Sequence, residues 1–107
     1  MGIIETIKFD DKGLVPVIAQ DWQNGDVLML AYMNKEALEQ TLKLKEMVYW
    51  SRSRKTLWHK GDTSGNVQKV KSLYYDCDAD ALLAKIDPIG GIACHTGNRS
   101  CFFNPII

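Results

Sequence analysis

Apolar and polar positions change their rhythm several times along this chain, and each change predicts an element. Residues 14–21 (LVPVIAQD) and 26–33 (DVLMLAYM) are rich in Val, Ile and Leu and flank Asn24 and Gly25, a pair that favours the tight turn of a β-hairpin. Pro16 lacks an amide donor, which suits an edge position or a strand start. The second run is almost continuously apolar and predicts a strand buried on both faces. At Asn34 the period lengthens. Asn34 is a good helix N-cap, and Ala37, Leu38, Thr41 and Leu42 fall on one helical face, so a helix of about three turns is predicted over residues 34–45. Lys43 and Lys45 sit near its C-terminal end, where the helix dipole favours cations.

Residues 47–51 (MVYWS) predict a third strand, after which residues 52–66 crowd cations, hydroxyls, glycines and Trp58 into what reads as a polar loop. Residues 67–75 carry enough β-branched and aromatic side chains for a further strand, and residues 81–86 (ALLAKI) for one more before Asp87, Pro88 and two glycines interrupt regular structure. With no repeat, linker or low-complexity tract, the pattern predicts a single α+β domain over residues 1–107, mostly antiparallel strands with one main helix.

Composition narrows the function classes. Thirteen basic residues balance thirteen acidic ones, so neither nucleic acid nor an anionic membrane is favoured by bulk charge. No apolar run approaches the roughly 20 residues that span a bilayer, and the first residues lack the apolar core of a signal peptide, so the chain is placed in the cytosol. MGIIET at the start fits the loose N-myristoylation pattern, but six residues with so few fixed positions match often by chance. A chain this short gains by burying more surface in an oligomer, and a homodimer is expected.

The chemistry concentrates late in the chain. Residues 76–80 (DCDAD) interleave Asp76, Asp78 and Asp80 with Cys77, and Cys94 and Cys101 follow within ACHTGNRSC. Carboxylates suit hard ions such as magnesium, calcium or manganese, whereas thiolates suit zinc, so two sites of different type are expected. If residues 76–80 are extended, the three aspartates share one face and Cys77 points to the other. An odd number of cysteines without an export signal argues against a disulfide framework. Buried thiols are the bland alternative for each alone. Three cysteine ligands on a tetrahedral zinc leave a fourth position open for water, as in catalytic sites. His95, beside Cys94, is a candidate acid or base, a fourth ligand, or a group that orients a ligand; His59 is a weaker candidate. Within the polar loop, Arg52, Arg54, Lys60, Ser64 and Asn66 offer charge and hydrogen bonds to phosphate, and Trp58 a stacking face for a base.

Four motifs, QDWQNGDVLMLAYMN, YWSRSRKTLWHKGDTSGN, DCDADALL and ACHTGNRSCF, together span most of the chain, and in this order they resemble the phosphoribosyl-AMP cyclohydrolases of histidine biosynthesis. The resemblance implies hydrolytic opening of the adenine ring of an N1-phosphoribosylated AMP. It also implies zinc on Cys77, Cys94 and Cys101, magnesium on Asp76, Asp78 and Asp80, and a homodimer that shares zinc between chains, Cys77 coming from one and the other two cysteines from its partner. A zinc-dependent nucleotide deaminase and a metal-stabilised module that binds a phosphorylated ligand are the competing readings. The His-x-Glu and Pro-Cys-x-x-Cys signature of the zinc deaminases is missing.

Overall fold

The computed structural model describes residues 2–107; Met1, and with it the first position of the myristoylation pattern, lies outside them. A short helix α1 (Ile3–Thr6), not among the predicted elements, precedes strand β1 (Val15–Asp21). In β1 every second residue is buried: Val15, Val17, Ala19 and Asp21. The predicted hairpin forms with β2 (Val27–Met33), in antiparallel register from Val15 opposite Met33 to Gln20 opposite Val27. Its turn is closed by the Asn24 side chain, which accepts from the Asp26 amide at 2.9 Å, and by Gly25 at φ 81°, a left-handed conformation that glycine adopts without strain.

Helix α2 (Lys35–Leu44) follows as predicted. Asn34 Oδ1 accepts from the Ala37 amide at 2.8 Å, and Lys45 in the left-handed region ends the helix. Its buried face is Ala37, Leu38 and Thr41, whereas Leu42, expected on that face, is exposed. Thr41 locks the helix to β3 (Val48–Ser51): its hydroxyl accepts from the Val48 amide at 3.0 Å and donates to the Ala37 carbonyl at 2.9 Å.

Strand β3 pairs with β4 (Thr56–His59), which lies inside the stretch predicted as loop. Tyr49 opposite Trp58 and Trp50 opposite Leu57 give this small hairpin its apolar content, hidden in the sequence by the cations at 52–55. Tyr49 is fully buried; its hydroxyl donates to Gln68 Oε1 at 2.6 Å, and Gln68 Nε2 lies 3.3 Å from Met29 Sδ.

Strands β5 (Gln68–Tyr75) and β6 (Leu82–Pro88) form a second long hairpin. The main sheet runs β2-β1-β6-β5, with β1 and β6 parallel and the other pairs antiparallel. The predicted α+β architecture with mostly antiparallel strands and one main helix is therefore observed. Pro16 sits in β1 one residue before the β6 pairing begins at Val17, so the strand start, not the sheet edge, accommodates it. Strand β2 departs from expectation: it is an edge of the sheet, and Val27 and Leu30 are exposed, so burial on both faces does not occur within one chain. No helix among the described residues is long and apolar enough to cross a membrane.

Candidate functional site

The tip of the β5–β6 hairpin carries the three aspartates, and it is a closed turn, not the extended segment predicted. The Asp76 amide donates to the Ala81 carbonyl at 3.0 Å, and Asp76 Oδ1 accepts from the amides of Asp80 and Ala81 at 3.0 and 3.3 Å. Ala79 adopts φ 63° and is buried, its carbonyl accepting from the Lys8 amide at 2.8 Å. Alternation along a strand therefore does not set the carboxylates on one face. The turn does, bringing one oxygen of each of Asp76, Asp78 and Asp80 within 4.8 Å of the others, all exposed. Such a cluster cannot ionise freely. A hydrogen bond from the Asp80 carboxyl holds Asp78 below the usual carboxylate range, and the same bond, with the charges of Asp78 and Asp76, pushes Asp80 up. A cation bound among the three would relieve the repulsion.

Residues 92–101 build the second group. The Ala93 amide donates to the Arg99 carbonyl and the Cys94 amide to the Asn98 carbonyl, both at 3.1 Å, and Gly97 turns the chain at φ 92°. The far end is stitched to β2, for the Cys101 amide donates to the Leu28 carbonyl at 2.7 Å and the Ser100 hydroxyl to the Val27 carbonyl at 2.9 Å. Arg99 adds an ionic clamp to the β1–β2 turn, its guanidinium 2.9 Å from Asp21 and 3.0 Å from Asp26. Asp21 is buried, and its carboxyl lies below the usual range because the Gln23 amide and then Arg99 donate to it. Sequence reasoning missed Arg99, Asp21 and Thr96. The first two are 78 residues apart, and no local pattern announces their pairing.

The clamp brings Cys94 and Cys101 together. The hydroxyl of Thr96, 3.0 Å from Cys94 Sγ, holds the Cys94 thiol below its ordinary value, with smaller help from Cys101 and Lys60. Burial, and then the neighbouring Cys94, pushes Cys101 up to about 11. The two sulfurs form a pair of soft donors with pKa values pushed apart. Cys77 is exposed on the distant-in-sequence hairpin tip and does not join them: among the described residues, the only cluster of three such donors within one chain is the aspartate trio.

A cleft of about 510 Å³ opens beside Cys94. It gathers Arg54, Trp58, Lys60, Ser64, Asn66 and His95, so five of the six predicted substrate contacts and the predicted acid–base histidine share one wall with a cysteine. Lys60 is buried, and its ammonium lies 5.2 Å from the Trp58 ring centre; the Arg54 guanidinium lies 5.9 Å from it. Gly61 is required here, because a Cβ would strike the backbone of Asn66 and Val67 where the loop folds back. Arg52 stands apart. It stacks at 3.9 Å on the Tyr32 ring, in a second depression of about 560 Å³ with Leu30 and Trp50, and Trp58 borders both hollows. His59 lines the cleft with Nε2 2.8 Å from Glu46, a carboxylate that fixes its ring.

The family model described as phosphoribosyl-AMP cyclohydrolase matches residues 29–103, which include every predicted metal and substrate residue. The phosphoribosyl-AMP cyclohydrolase of Trichormus variabilis is 59% identical over 102 residues, covering 95% of this chain and 88% of the relative. That of Aromatoleum aromaticum is 59% identical over 100 residues, covering 94% and 75%. The histidine biosynthesis bifunctional protein HisIE of Prochlorococcus marinus is 56% identical over 103 residues, 96% of this chain but 46% of that longer protein. By the extent of the family match and the 59% identity to a relative of which it covers 88%, the chain belongs to the phosphoribosyl-AMP cyclohydrolase family.

Proposed function

We propose that this chain hydrolyses the N1–C6 bond of the adenine ring in phosphoribosyl-AMP, a step of histidine biosynthesis, as a cytoplasmic, zinc- and magnesium-dependent homodimer. The observation that carries the reading is the convergence of Cys94, His95, Trp58 and Lys60 on one cleft in a member of this family.

The donor chemistry fits both ions. Cys94 and Cys101 are paired soft donors, one already held toward the thiolate, and Cys77 of a second copy would complete the set. Asp76, Asp78 and Asp80 are hard donors already converged. When bound, zinc would supply Lewis acidity and a water position, and magnesium would neutralise substrate phosphate.

The chain's own groups divide the remaining work. Trp58 offers a flat face to the purine, and its neighbours Arg54 and Lys60 keep positive charge over that face where a phosphate can approach. Ser64 and Asn66 border the same cleft and supply neutral hydrogen bonds. Hydrolysis adds the oxygen of water at C6 and breaks C6–N1; N1 keeps the released proton, and C6 with its amino group becomes a carboxamide. His95, exposed on the cleft wall next to Cys94, takes the proton from water and returns it to N1. Arg52, outside the cleft, serves the substrate only where the ligand reaches past Trp58 into the second hollow.

The test is turnover of phosphoribosyl-AMP with and without a zinc chelator, with ammonia measured alongside. Chelator-sensitive ring opening without ammonia supports the proposal. Ammonia release would make the chain a deaminase, and bound zinc without turnover would make it a binding module.

A further inference from the structure

The hollow beside Arg52 is as large as the cleft, about 560 Å³ against about 510 Å³, yet Cys94 and His95 border only the cleft. Leu30, Tyr32, Trp50, Ser51, Arg52 and Ser53 line the hollow, so a guanidinium and two hydroxyls stand among apolar and aromatic walls with no carboxylate beside them. The Arg52 guanidinium lies 3.9 Å from the Tyr32 ring centre, a stack that orders its plane and leaves the N–H groups along its edge available. Among the described residues Arg52 makes no ion pair, in contrast to Arg99, which is held by two carboxylates. A cation without a counter-charge, in a concave site that also offers hydroxyls, suits an oxyanion such as phosphate.

Hollow and cleft are neighbours, because Trp58 borders both and the Ser51 hydroxyl accepts from the Arg54 amide at 3.3 Å. Two basic sites therefore flank one aromatic ring, Arg54 and Lys60 on the cleft side and Arg52 on the other. The substrate of the proposed reaction has a matching form. It carries two phosphorylated ribosyl arms, on N1 and on N9, at opposite ends of the purine. With the reacting C6–N1 bond beside His95, the arm on N1 stays in the cleft with Arg54 and Lys60. A purine stacked on Trp58 in that sense points N9 away from His95, toward the hollow.

We propose that the Arg52 hollow is a second phosphate subsite, which takes the phosphate of the ribosyl arm on N9 and makes the chain selective for a purine nucleotide with two phosphorylated arms. The proposal rests on the ring-opening function and deepens it. Arg52 binds the phosphate, Ser51 and Ser53 supply neutral hydrogen bonds, and Tyr32 positions the guanidinium. A mononucleotide engages one basic site only. A ligand with two arms engages both, and its second contact is intramolecular once the first has formed, so the gain over a mononucleotide exceeds that of one added hydrogen bond.

The test compares adenosine with AMP, the same purine without and with the phosphate on the N9 arm, by calorimetric titration of the full chain. AMP should bind about tenfold or more tighter than adenosine, and Arg52→Gln, at an exposed position, should remove that advantage while adenosine affinity stays within about twofold. In steady-state assays Arg52→Gln should raise KM for phosphoribosyl-AMP about tenfold or more, and by a larger factor than it lowers kcat, with Arg52→Lys restoring part of the loss. No advantage of AMP in the wild type, or an advantage that survives Arg52→Gln with KM unchanged, overturns the subsite. A raised KM with the AMP advantage intact puts the N1 arm in the hollow and overturns the assignment to N9. Equal losses for adenosine and AMP, with a lower melting temperature, make Arg52 a structural partner of Tyr32 and overturn the subsite as well. The ring-opening function fails on a separate readout, the absence of turnover by the wild-type chain, whereas the comparison of adenosine with AMP requires no turnover.

Discussion

Asp21→Asn isolates the clamp that holds the two-cysteine segment. The carboxylate accepts from the Gln23 amide at 2.8 Å and from Arg99 at 2.9 Å while its side chain is only 8% exposed. Asparagine can keep the first bond but turns an amide donor or a neutral oxygen toward a guanidinium. A charged hydrogen bond contributes roughly 1.5–3 kcal/mol. Solvent around Arg99, whose side chain is 40% exposed, and the surviving contact to Asp26 reduce this to about 1–2 kcal/mol. The expected result at pH 7 is a melting temperature lower by about 5–10 °C. Because the lost contact ties Arg99 and hence residues 92–101 to the β1–β2 turn, zinc affinity should fall about 5–30-fold, the population change that such an energy implies. The pH dependence has a defined sign. The folded carboxyl lies below its unfolded value of about 3.9, so its contribution is complete above that value and is lost as pH falls through the folded one. Urea midpoints of wild type and variant should differ at neutral pH and converge as acid protonates Asp21. Equal stability at pH 7, or a gap that persists undiminished toward pH 3, would refute the account.

Four further outcomes are expected. Thr41→Val strips the buried Val48 amide of its acceptor and should cost about 1–3 kcal/mol in a urea titration, with no change in kcat for the folded enzyme. Cys94→Ala should abolish stoichiometric zinc and turnover together; a zinc-free variant with full activity would refute the metal assignment. Asp78→Asn should weaken magnesium activation while zinc content, read by elemental analysis, stays unchanged. His95→Gln should lower kcat more than zinc content, and a matching loss of metal would make His95 a ligand.

How much of this was legible depends on the range of the interaction that decides each feature. Helix α2 and the first hairpin are written locally: Asn34 caps within three residues, and Asn24 and Gly25 close their own turn. Strand β4 is equally short-range but obscured, since Leu57 and Trp58 are flanked by Arg52, Arg54, Lys55 and Lys60, and four residues are too few to establish a period. The exposure of Val27 and Leu30 was beyond reach, because an apolar run states that a strand wants cover without stating from which chain.

The aspartate cluster shows how a sound expectation can rest on the wrong local geometry. Convergence of Asp76, Asp78 and Asp80 was foreseen from a two-residue period, yet Asp76 spends one carboxylate oxygen on the amides of Asp80 and Ala81, and Ala79 turns left-handed. Asp side chains compete with strand pairing in this way, so DCDAD at a hairpin end should read as a turn that caps itself. The consequence reaches the zinc proposal. The argument that Cys77 faces away because strand residues alternate no longer applies, and what sets Cys77 apart from Cys94 and Cys101 is its exposed place in the turn between β5 and β6. The proposed sharing of zinc between copies therefore has its support in the exposure of Cys77 and its separation from the other two cysteines within one chain, and none in alternation along a strand.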